Sequence, residues 1–303
     1  MTNVLLGGAI GDSLGMPFET KPADYPPLLA WDGKTFFGSE HHGLNAGQFT
    51  DDTQFSLAVA QSLIERRHFD PDHLSQSYVS LFTSGEIRGY GRTTLIAIER
   101  LKSGTHWSES GVEDSYGNGT AMRAAPFGVF FRNDKRSLIN IVKIDSAITH
   151  RSDEAEAGAL AIALACYFIV NGDESDLLEK IAKELPKSMV LSKLLNLQTM
   201  IDSKATPQDI LKIIGTKADV RQTAPAALYC YLKFKNYQEA VEAAIRAGGD
   251  TDTTAAIVGA LYGAKLGSKG ISSDYIDGIE NKNRLLLLDA QLFARNNSKY
   301  LGV

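Results

Sequence analysis

Two short acidic segments carry the side chains that bear most directly on the chemistry of this chain. The first is Gly47-Gln48-Phe49-Thr50-Asp51-Asp52-Thr53, and the second, almost 200 positions later, is Gly248-Gly249-Asp250-Thr251-Asp252-Thr253-Thr254. Carboxylate and hydroxyl oxygens are the ligands that hard cations such as Mg²⁺ and Mn²⁺ prefer. Neither segment contains Cys or His, which argues against zinc. If the fold brings the segments together, they form a two-metal site of the kind that activates water.

Each segment also has a simpler interpretation, because Asp and Thr are common at helix N-termini. For Asp51-Asp52 alone, a plain helix start explains the pattern equally well. The second segment favours metal binding more strongly, because residues i and i+2 of an extended or turn segment project to the same side. Asp250 and Asp252 can therefore reach one pair of cations, and the preceding Gly248-Gly249 allows a close backbone approach.

Charge counting supports the metal hypothesis. Four aspartates and one further carboxylate, for which Glu19 is the candidate, bring about five negative charges together. Without cations these groups would repel and raise one another's pKa values, whereas two divalent ions would offset four of the charges. Glu19 ends the segment Gly11-Asp12-Ser13-Leu14-Gly15-Met16-Pro17-Phe18-Glu19; taken alone, it is more simply a surface glutamate.

Two glycine-rich segments and one histidine are further candidates for ligand binding. Within Ser115-Tyr116-Gly117-Asn118-Gly119-Thr120-Ala121-Met122-Arg123, the Gly-Asn-Gly stretch exposes backbone N–H groups that can bind phosphate, although a simple turn also explains it. Gly89-Tyr90-Gly91 can likewise be interpreted as part of a ligand-binding site or as a simple turn. His150 precedes a buried helix, where a histidine is more often structural than catalytic. The six histidines show no metal-binding spacing, and we find no nucleophile elbow, P-loop or dinucleotide fingerprint.

Helical periodicity dominates the elements that must position these residues. It predicts helices over 53–67, 157–170, 223–234, 237–246, 253–266 and 284–294, with shorter ones over 174–215 broken near Pro186 and Pro207. Asp153-x-x-Glu156 resembles a capping box ahead of the buried helix 157–170. Alternating β-type runs are few. Because there is no repeat, low-complexity linker or composition break, the sequence predicts one all-α domain over residues 1–303.

Composition narrows the class of protein. The chain is 44% hydrophobic and 22% charged with a net charge of -5, which argues against a nucleic-acid-coating surface. Cys166 and Cys230 lie in apolar stretches and are interpreted as core residues in a reducing compartment. The N-terminus lacks the positive region of a signal peptide, and the longest apolar run, 159–170, is too short to span a bilayer. We therefore expect a cytoplasmic protein and, without an exposed heptad seam, a monomer.

Taken together, five segments resemble motifs of the ADP-ribosylglycohydrolase family. Leu6-Gly7-Gly8-Ala9-Ile10-Gly11-Asp12 through Glu19 is similar to the opening motif, Thr50-Asp51-Asp52 to the first metal motif and Gly248-Gly249-Asp250-Thr251-Asp252-Thr253 to the second. Gly117-Asn118-Gly119 to Met122-Arg123 matches a third motif, and Thr149-His150 a fourth. The resemblance covers nearly the whole chain, and five motifs in the right order make it specific.

The resemblance implies a compact multi-helix orthogonal bundle with two Mg²⁺ or Mn²⁺ ions in a central cleft. It implies an enzyme that hydrolyses the bond at the anomeric carbon of protein-linked ADP-ribose. Glu19, Asp52 and Asp252 would be catalytic, with Glu19 gating the mouth of the site and assisting proton transfer. The implied metal ligands are Thr50, Asp51, Asp52, Asp250, Asp252 and Thr253. The implied ADP-ribose groove contains Ser115, Tyr116, Gly117, Asn118, Gly119, Met122 and His150, with Gly89 and Gly91.

The sequence leaves open which substrate branch of the family the chain resembles and whether another class of function applies. Ser115-Tyr116-Gly117-Asn118-Gly119 and Arg88-Gly89-Tyr90-Gly91 look more like the branch that acts on serine-linked ADP-ribose and poly(ADP-ribose). The arginine-specific branch is the close alternative. A catalytically silent ADP-ribose-binding module is a second class of function, against which the intact acidic set argues. A metal-dependent phosphohydrolase is a third, which only the whole-chain resemblance separates from a glycohydrolase.

Overall fold

Helices make up nearly all of the regular structure in the computed structural model of the protein, which describes residues 2–294. Two 3₁₀ turns, Met16–Phe18 and Gly267–Gly270, and two short strands, β1 (Val112–Glu113) and β2 (His150–Arg151), make up the remainder, and the strands pair in parallel. The prediction of an all-α fold is confirmed. The helices within the described range are α1 Val4–Gly15, α2 Pro26–Ala30, α3 Asp51–Arg66, α4 Pro71–Thr83, α5 Arg92–Lys102, α6 Trp107–Ser110, α7 Ala125–Phe130, α8 Lys135–Thr149, α9 Asp153–Val170, α10 Leu177–Ala182, α11 Met189–Asp202, α12 Pro207–Ile214, α13 Val220–Lys233, α14 Tyr237–Arg246, α15 Thr251–Leu266, α16 Ser273–Gly278 and α17 Lys282–Ala294.

The helix boundaries follow local capping chemistry. α9 begins four residues earlier than the periodicity predicts, and its cap is Ser152, whose side chain accepts a hydrogen bond from the Ala155 N–H at 3.1 Å. The capping-box interpretation of Asp153 is therefore wrong by one residue, since Asp153 already lies inside the helix. Pro207 occupies the first turn of α12, where its missing N–H costs nothing, and Pro186 lies between α10 and α11.

A close contact between α1 and α15 is made possible by small residues. Gly7, Gly11 and Gly15 are spaced four apart, so they lie on one face of α1. A Cβ added to Gly11 would lie 2.1 Å from the Ala255 carbonyl oxygen, which leaves no room for any side chain. The two backbones therefore pack directly against each other. As a result, the end of α1 lies beside the beginning of α15, where the second acidic segment is found.

The apolar core surrounds α9. This helix is buried along almost its whole length and packs against α7, α8, α13 and α15. Cys166 on α9 and Cys230 on α13 are free thiols, and burial raises the pKa of both, as expected for unreactive core residues. None of the helices within residues 2–294 combines the length and the apolar character that crossing a membrane requires.

Asp289 of α17 caps α1 from outside the helix. Its carboxylate accepts hydrogen bonds from the Leu5 N–H at 2.9 Å and the Leu6 N–H at 3.1 Å. Helix N-termini leave such N–H groups without partners inside the helix. Burial raises the pKa of Asp289 to about 7. The folded state therefore retains a proton that the unfolded state releases from about pH 4 upward, so this group's contribution to stability falls as the pH rises toward neutrality.

Asp289→Ala should lower the free energy of unfolding by about 2 to 4 kcal/mol, because two buried N–H groups lose their acceptor. Asp289→Asn keeps one acceptor oxygen and should cost less than half of that. It should also flatten the pH dependence of stability between pH 4 and 7, since the titrating group is gone. Urea unfolding of the three proteins at pH 5, 6 and 7 measures both effects. Equal stability of the alanine variant and the parent protein would contradict the capping role.

Candidate active site

Four aspartates from the two acidic segments meet in one cleft. Asp51 and Asp52 lie in the first turn of α3, Asp250 immediately precedes α15, and Asp252 lies in its first turn. All four are at least nine-tenths buried. We call Asp51, Asp52, Asp250 and Asp252 the carboxylate cluster. The cleft has a volume of about 260 Å³ and is lined by Glu19, Asp51, Asp52, Gly89, Gly91, Arg92, Thr93, Thr94, Gly117, Asn118, Gly119, Met122, His150, Ala218, Asp250, Asp252 and Thr253.

A short backbone bridge holds Glu19 beside the second acidic segment. The Thr20 N–H donates to the Gly249 carbonyl at 2.7 Å, and the Gly249 N–H donates to the Lys21 carbonyl at 2.8 Å. Gly248 and Gly249 both have positive φ angles, so the predicted need for glycine at these positions has a backbone cause. Ligand atoms of Glu19, Asp250 and Asp252 lie within 4.8 Å of one another.

Asp12, a residue without a predicted role, anchors the first acidic segment. Its carboxylate accepts hydrogen bonds from the Thr50 hydroxyl at 2.9 Å and the Thr53 hydroxyl at 2.6 Å. It also accepts from the backbone N–H groups of the same two residues at 3.1 Å. Asp12 thus acts as the cap of α3 in place of a residue of that helix. Burial raises the pKa of Asp12 to about 6, although these hydrogen bonds oppose the effect.

Crowding and burial make the carboxylate cluster unfavourable without a counter-charge. Burial raises the pKa values of Asp51, Asp52 and Asp252 well above the usual range, and neighbouring carboxylates raise them further. The pKa of Asp250 is also raised by burial, although a hydrogen bond from Asn118 opposes this shift. Such a concentration of like charge is typical of sites that bind divalent cations.

The donor set fits a hard divalent cation. The Asp52 Oδ1 atom is buried without a hydrogen-bond partner, whereas its Oδ2 atom lies 3.2 Å from the Thr50 hydroxyl and 3.3 Å from the Thr253 hydroxyl. A buried carboxylate oxygen that accepts nothing calls for an explanation, and a cation ligated by that oxygen provides one. The oxygens of the cluster and of the threonines are the ligand types that Mg²⁺ and Mn²⁺ prefer.

The Gly117–Gly119 loop connects the cluster to His150. Asn118 donates hydrogen bonds from its amide to an Asp250 carboxylate oxygen and, at 3.0 Å, to the Thr223 hydroxyl. A Cβ at Gly117 or Gly119 would lie 2.9 or 2.8 Å from the His150 ring, so glycine allows the loop to pack against it. Burial lowers the pKa of His150 to about 3, with a smaller contribution from the Arg123 charge. His150 is therefore neutral at pH 7 and lines the cleft.

A buried ion pair fixes this loop and His150 together. Arg123 is fully buried and donates to an Asp145 carboxylate oxygen at 2.9 Å, to the Gly119 carbonyl at 2.8 Å and to the Thr149 hydroxyl at 2.9 Å. The Thr149 hydroxyl in turn lies 2.8 Å from His150 Nδ1. The sequence motif contains Arg123, but only the structure identifies its role as a positioning residue.

The predicted site residues fall into two groups. The first group lines the cleft and consists of Glu19, the carboxylate cluster, Thr253, Gly89, Gly91, Gly117, Asn118, Gly119, Met122 and His150. Three do not line it: Thr50 is fully buried against Asp12, Ser115 lies 3.2 Å from the Thr93 hydroxyl, and Tyr116 is 44% exposed with the Arg221 guanidinium 4.1 Å from its ring centre. The lining also contains Arg92, Thr93, Thr94 and Ala218, which no sequence pattern indicated.

The relatives of this chain include hydrolases of ADP-ribose linkages. It is 31% identical to an uncharacterised protein of Archaeoglobus fulgidus, with 96% of this chain and 95% of that protein covered. It is 27% identical to the ADP-ribosylarginine hydrolase Tri1 of Pseudomonas putida, with 96% of this chain and 77% of Tri1 covered. It is 26% identical to the ADP-ribosylhydrolase ARH3 of Danio rerio, with 88% of this chain and 82% of ARH3 covered.

Structure comparison and a family profile agree with these relatives. A solved structure named ADP-ribosylglycohydrolase-related protein complex superimposes with a TM-score of 0.82 over 97% of both chains at 24% identity, which shows a shared fold. The profile of the ADP-ribosylglycohydrolase family matches residues 1–301. This confirms the prediction of an ADP-ribosyl hydrolase, a glycosidase, at the level of the family. With nearly the whole sequence matched, the chain belongs to the ADP-ribosylglycohydrolase family.

Proposed function

We propose that this protein is a metal-dependent hydrolase that releases ADP-ribose from modified proteins, with a preference for serine-linked ADP-ribose or poly(ADP-ribose). The observation that carries the proposal is the meeting of both acidic segments with Gly117–Gly119 and His150 in one cleft. The proposed metal ligands are those of the sequence analysis: Thr50, Asp51, Asp52, Asp250, Asp252 and Thr253. The two threonine hydroxyls bracket Asp52 Oδ2, which supports their inclusion.

The chain's own residues divide the work of breaking the glycosidic bond. Hydrolysis passes through an oxocarbenium-like state and needs an oriented water and assistance to the leaving group. Divalent cations in the carboxylate cluster would supply Lewis acidity toward oxygen atoms. Asp52 and Asp252 orient the reacting groups, and Glu19, the least buried of these carboxylates, exchanges the proton with solvent at the mouth of the cleft. Neutral His150 hydrogen-bonds to the ribose without adding charge.

The diphosphate is proposed to lie at the beginning of α5. Gly91 precedes this helix and provides no side-chain cap, so the first N–H groups of α5 are left for another acceptor, and Gly91, Thr93 and Thr94 line the cleft. Helix N-termini bind anions through such N–H groups and the helix dipole. This arrangement holds a doubly charged ligand in a protein whose net charge is -5.

One charged side chain favours the serine-type branch over the arginine-type branch. Arg92 is exposed and lines the cleft. An arginine that carries ADP-ribose keeps its positive guanidinium group, which Arg92 would repel. Serine carries no such charge, and the neighbouring diphosphates of poly(ADP-ribose) would be attracted to Arg92. The relatives do not separate the branches, because identity to Tri1 and to ARH3 is almost the same.

Release of free ADP-ribose from serine- and arginine-modified proteins, with Mg²⁺, Mn²⁺ or EDTA, tests the proposal. We expect metal-dependent release that is faster from the serine-linked substrate. Arg92→Glu should lower the ratio of serine to arginine kcat/KM by about tenfold, since it reverses the charge at the mouth. Arg136→Glu, an exposed arginine of α8 outside the cleft, is the control and should leave the ratio unchanged.

Three outcomes would redirect the assignment. Faster release from arginine would favour the arginine-linked alternative. Binding of ADP-ribose without release from either substrate would establish a silent binding module. Release of inorganic phosphate from nucleotides in place of free ADP-ribose would establish a phosphohydrolase.

A further inference from the structure

Glu19 has a second set of neighbours besides Asp250 and Asp252. His41 and His42 belong to the loop between α2 and α3, and their rings lie 4.7 Å apart. One ligand atom each of Glu19, His41 and His42 can be chosen so that all three lie within 4.8 Å of one another. The histidines show no metal-binding spacing in the sequence, because the third member of the group, Glu19, is more than 20 positions away in the chain.

The contact between His42 and Glu19 is short but lacks the geometry of a hydrogen bond. The Nε2 atom of His42 lies 2.6 Å from a Glu19 carboxylate oxygen, yet it is buried without a hydrogen-bond partner. The His42 side chain is only 6% exposed. A buried imidazole nitrogen in this state is costly unless another group satisfies it. A cation bound between the two side chains would satisfy both atoms at once.

The donor chemistry of this group differs from that of the carboxylate cluster. Two imidazole nitrogens and one carboxylate are typical ligands of zinc and of similar transition-metal ions, whereas an all-oxygen set suits Mg²⁺ and Mn²⁺. We propose that Glu19, His41 and His42 form a third metal site, selective for Zn²⁺-class cations, next to the carboxylate cluster. His41 is exposed, so an ion can enter from solvent and complete its coordination with water.

Because Glu19 lies beside Asp250 and Asp252 as well as beside His41 and His42, occupation of the third site should inhibit turnover. A cation held by His41 and His42 fixes the Glu19 carboxylate on the histidine side and removes it from proton exchange at the mouth of the cleft. This consequence depends on the proposed role of Glu19 in hydrolysis, whereas the binding site itself does not.

Co²⁺ reports on the binding site without any measurement of activity, because nitrogen ligands and low coordination number intensify its visible absorption. Protein saturated with Mg²⁺ and titrated with Co²⁺ should develop one such band at a stoichiometry of one ion per chain. His41→Ala and, separately, His42→Gln should weaken this binding by about a hundredfold, since each removes a ligand. Asp252→Asn should retain the band, because that residue belongs only to the carboxylate cluster.

His68→Ala is the matched control. His68 lies beyond the far end of α3, roughly 24 Å from the beginning of that helix, and should leave the band unchanged. A band that survives both His41→Ala and His42→Gln, or that disappears in Asp252→Asn, would overturn the proposed site.

The regulatory consequence has its own readout. Micromolar Zn²⁺ should lower the Mg²⁺-supported rate of ADP-ribose release at least about tenfold in the parent protein, and much less in His41→Ala relative to that variant's own zinc-free rate. Zinc inhibition of equal size in both proteins would contradict inhibition through Glu19. A cobalt band in a protein without hydrolase activity would uphold the site and contradict only the proposed function.

Discussion

Asp252→Asn is expected to lower the rate of ADP-ribose release by about a thousandfold or more while raising the stability of the metal-free protein. The loss of rate follows from the proposed roles of Asp252 as a charged metal ligand and as a residue that orients the reacting groups. The gain in stability follows from the electrostatics of the folded protein, in which burial and then the charges of Asp250 and Glu19 raise the pKa of Asp252. Removing one of these crowded charges relieves repulsion that should amount to about 1 to 3 kcal/mol.

The sign of the pH effect follows from the same shifts. The pKa values of Asp51, Asp52 and Asp252 are raised, so the metal-free folded state binds protons that the unfolded state releases. Stability of the metal-free protein should therefore be highest at acidic pH and fall as the pH rises. Added Mg²⁺ should reverse this trend near neutrality, because a cation bound only to the folded state stabilises it by about 2.7 kcal/mol at a concentration of 100 times Kd.

Thermal unfolding with EDTA and with Mg²⁺ measures these effects in both proteins. The parent should gain more stability from Mg²⁺ than Asp252→Asn does, whereas the variant should be the more stable of the two in EDTA. Asp24→Asn changes the net charge equally at an exposed position outside the cleft and should resemble the parent in both conditions. An Asp252→Asn protein that is less stable than the parent in EDTA would contradict the repulsive cluster.

The helical fold could be predicted because its signals are local. Periodicity predicted α3, α9, α13, α14, α15 and α17, and capping residues explain most of the differences between their predicted and observed boundaries. The unusual feature of the fold is the direct packing of α1 on α15, and that depends on Gly7, Gly11 and Gly15 meeting a partner about 240 positions away. These glycines belong to a recognisable sequence motif, but their spacing does not identify the helix against which they pack.

The candidate site was predictable to the extent that its residues are chemically distinctive. The acidic segments stand out because carboxylates at that density are costly unless something binds them. Asp12 and Arg123 act through hydrogen bonds to backbone and hydroxyl groups of other segments, which a sequence cannot display. His42 meets Glu19 only because the Thr20–Gly249 bridge and the loop before α3 bring their segments together.

Gly11→Ala and Gly8→Ala form a matched pair on α1, and they should change the free energy of unfolding in opposite directions. A Cβ at Gly11 would lie 2.1 Å from the Ala255 carbonyl oxygen and 2.6 Å from its carbon, so the backbone of α15 must move. A Cβ at Gly8 would meet its nearest neighbours at 3.5 and 3.6 Å, which is ordinary contact. We expect Gly11→Ala to cost about 3 kcal/mol or more of unfolding free energy. Gly8→Ala should add up to about 1 kcal/mol, since alanine favours the helix.

The same pair tests whether α1–α15 packing sets the geometry of the site. A shift of about 1 Å between the helices would displace Asp12 and Glu19 from Asp250 and Asp252, and displacements of this size cost enzymes about a hundredfold in rate. Gly11→Ala should therefore lose activity even at temperatures where it remains folded, as judged by circular dichroism, whereas Gly8→Ala should keep the parent rate. If Gly11→Ala stays folded and fully active, the site tolerates separation of the two helices, and the carboxylates must be positioned mainly by the Thr20–Gly249 bridge and by the hydrogen bonds of Asp12.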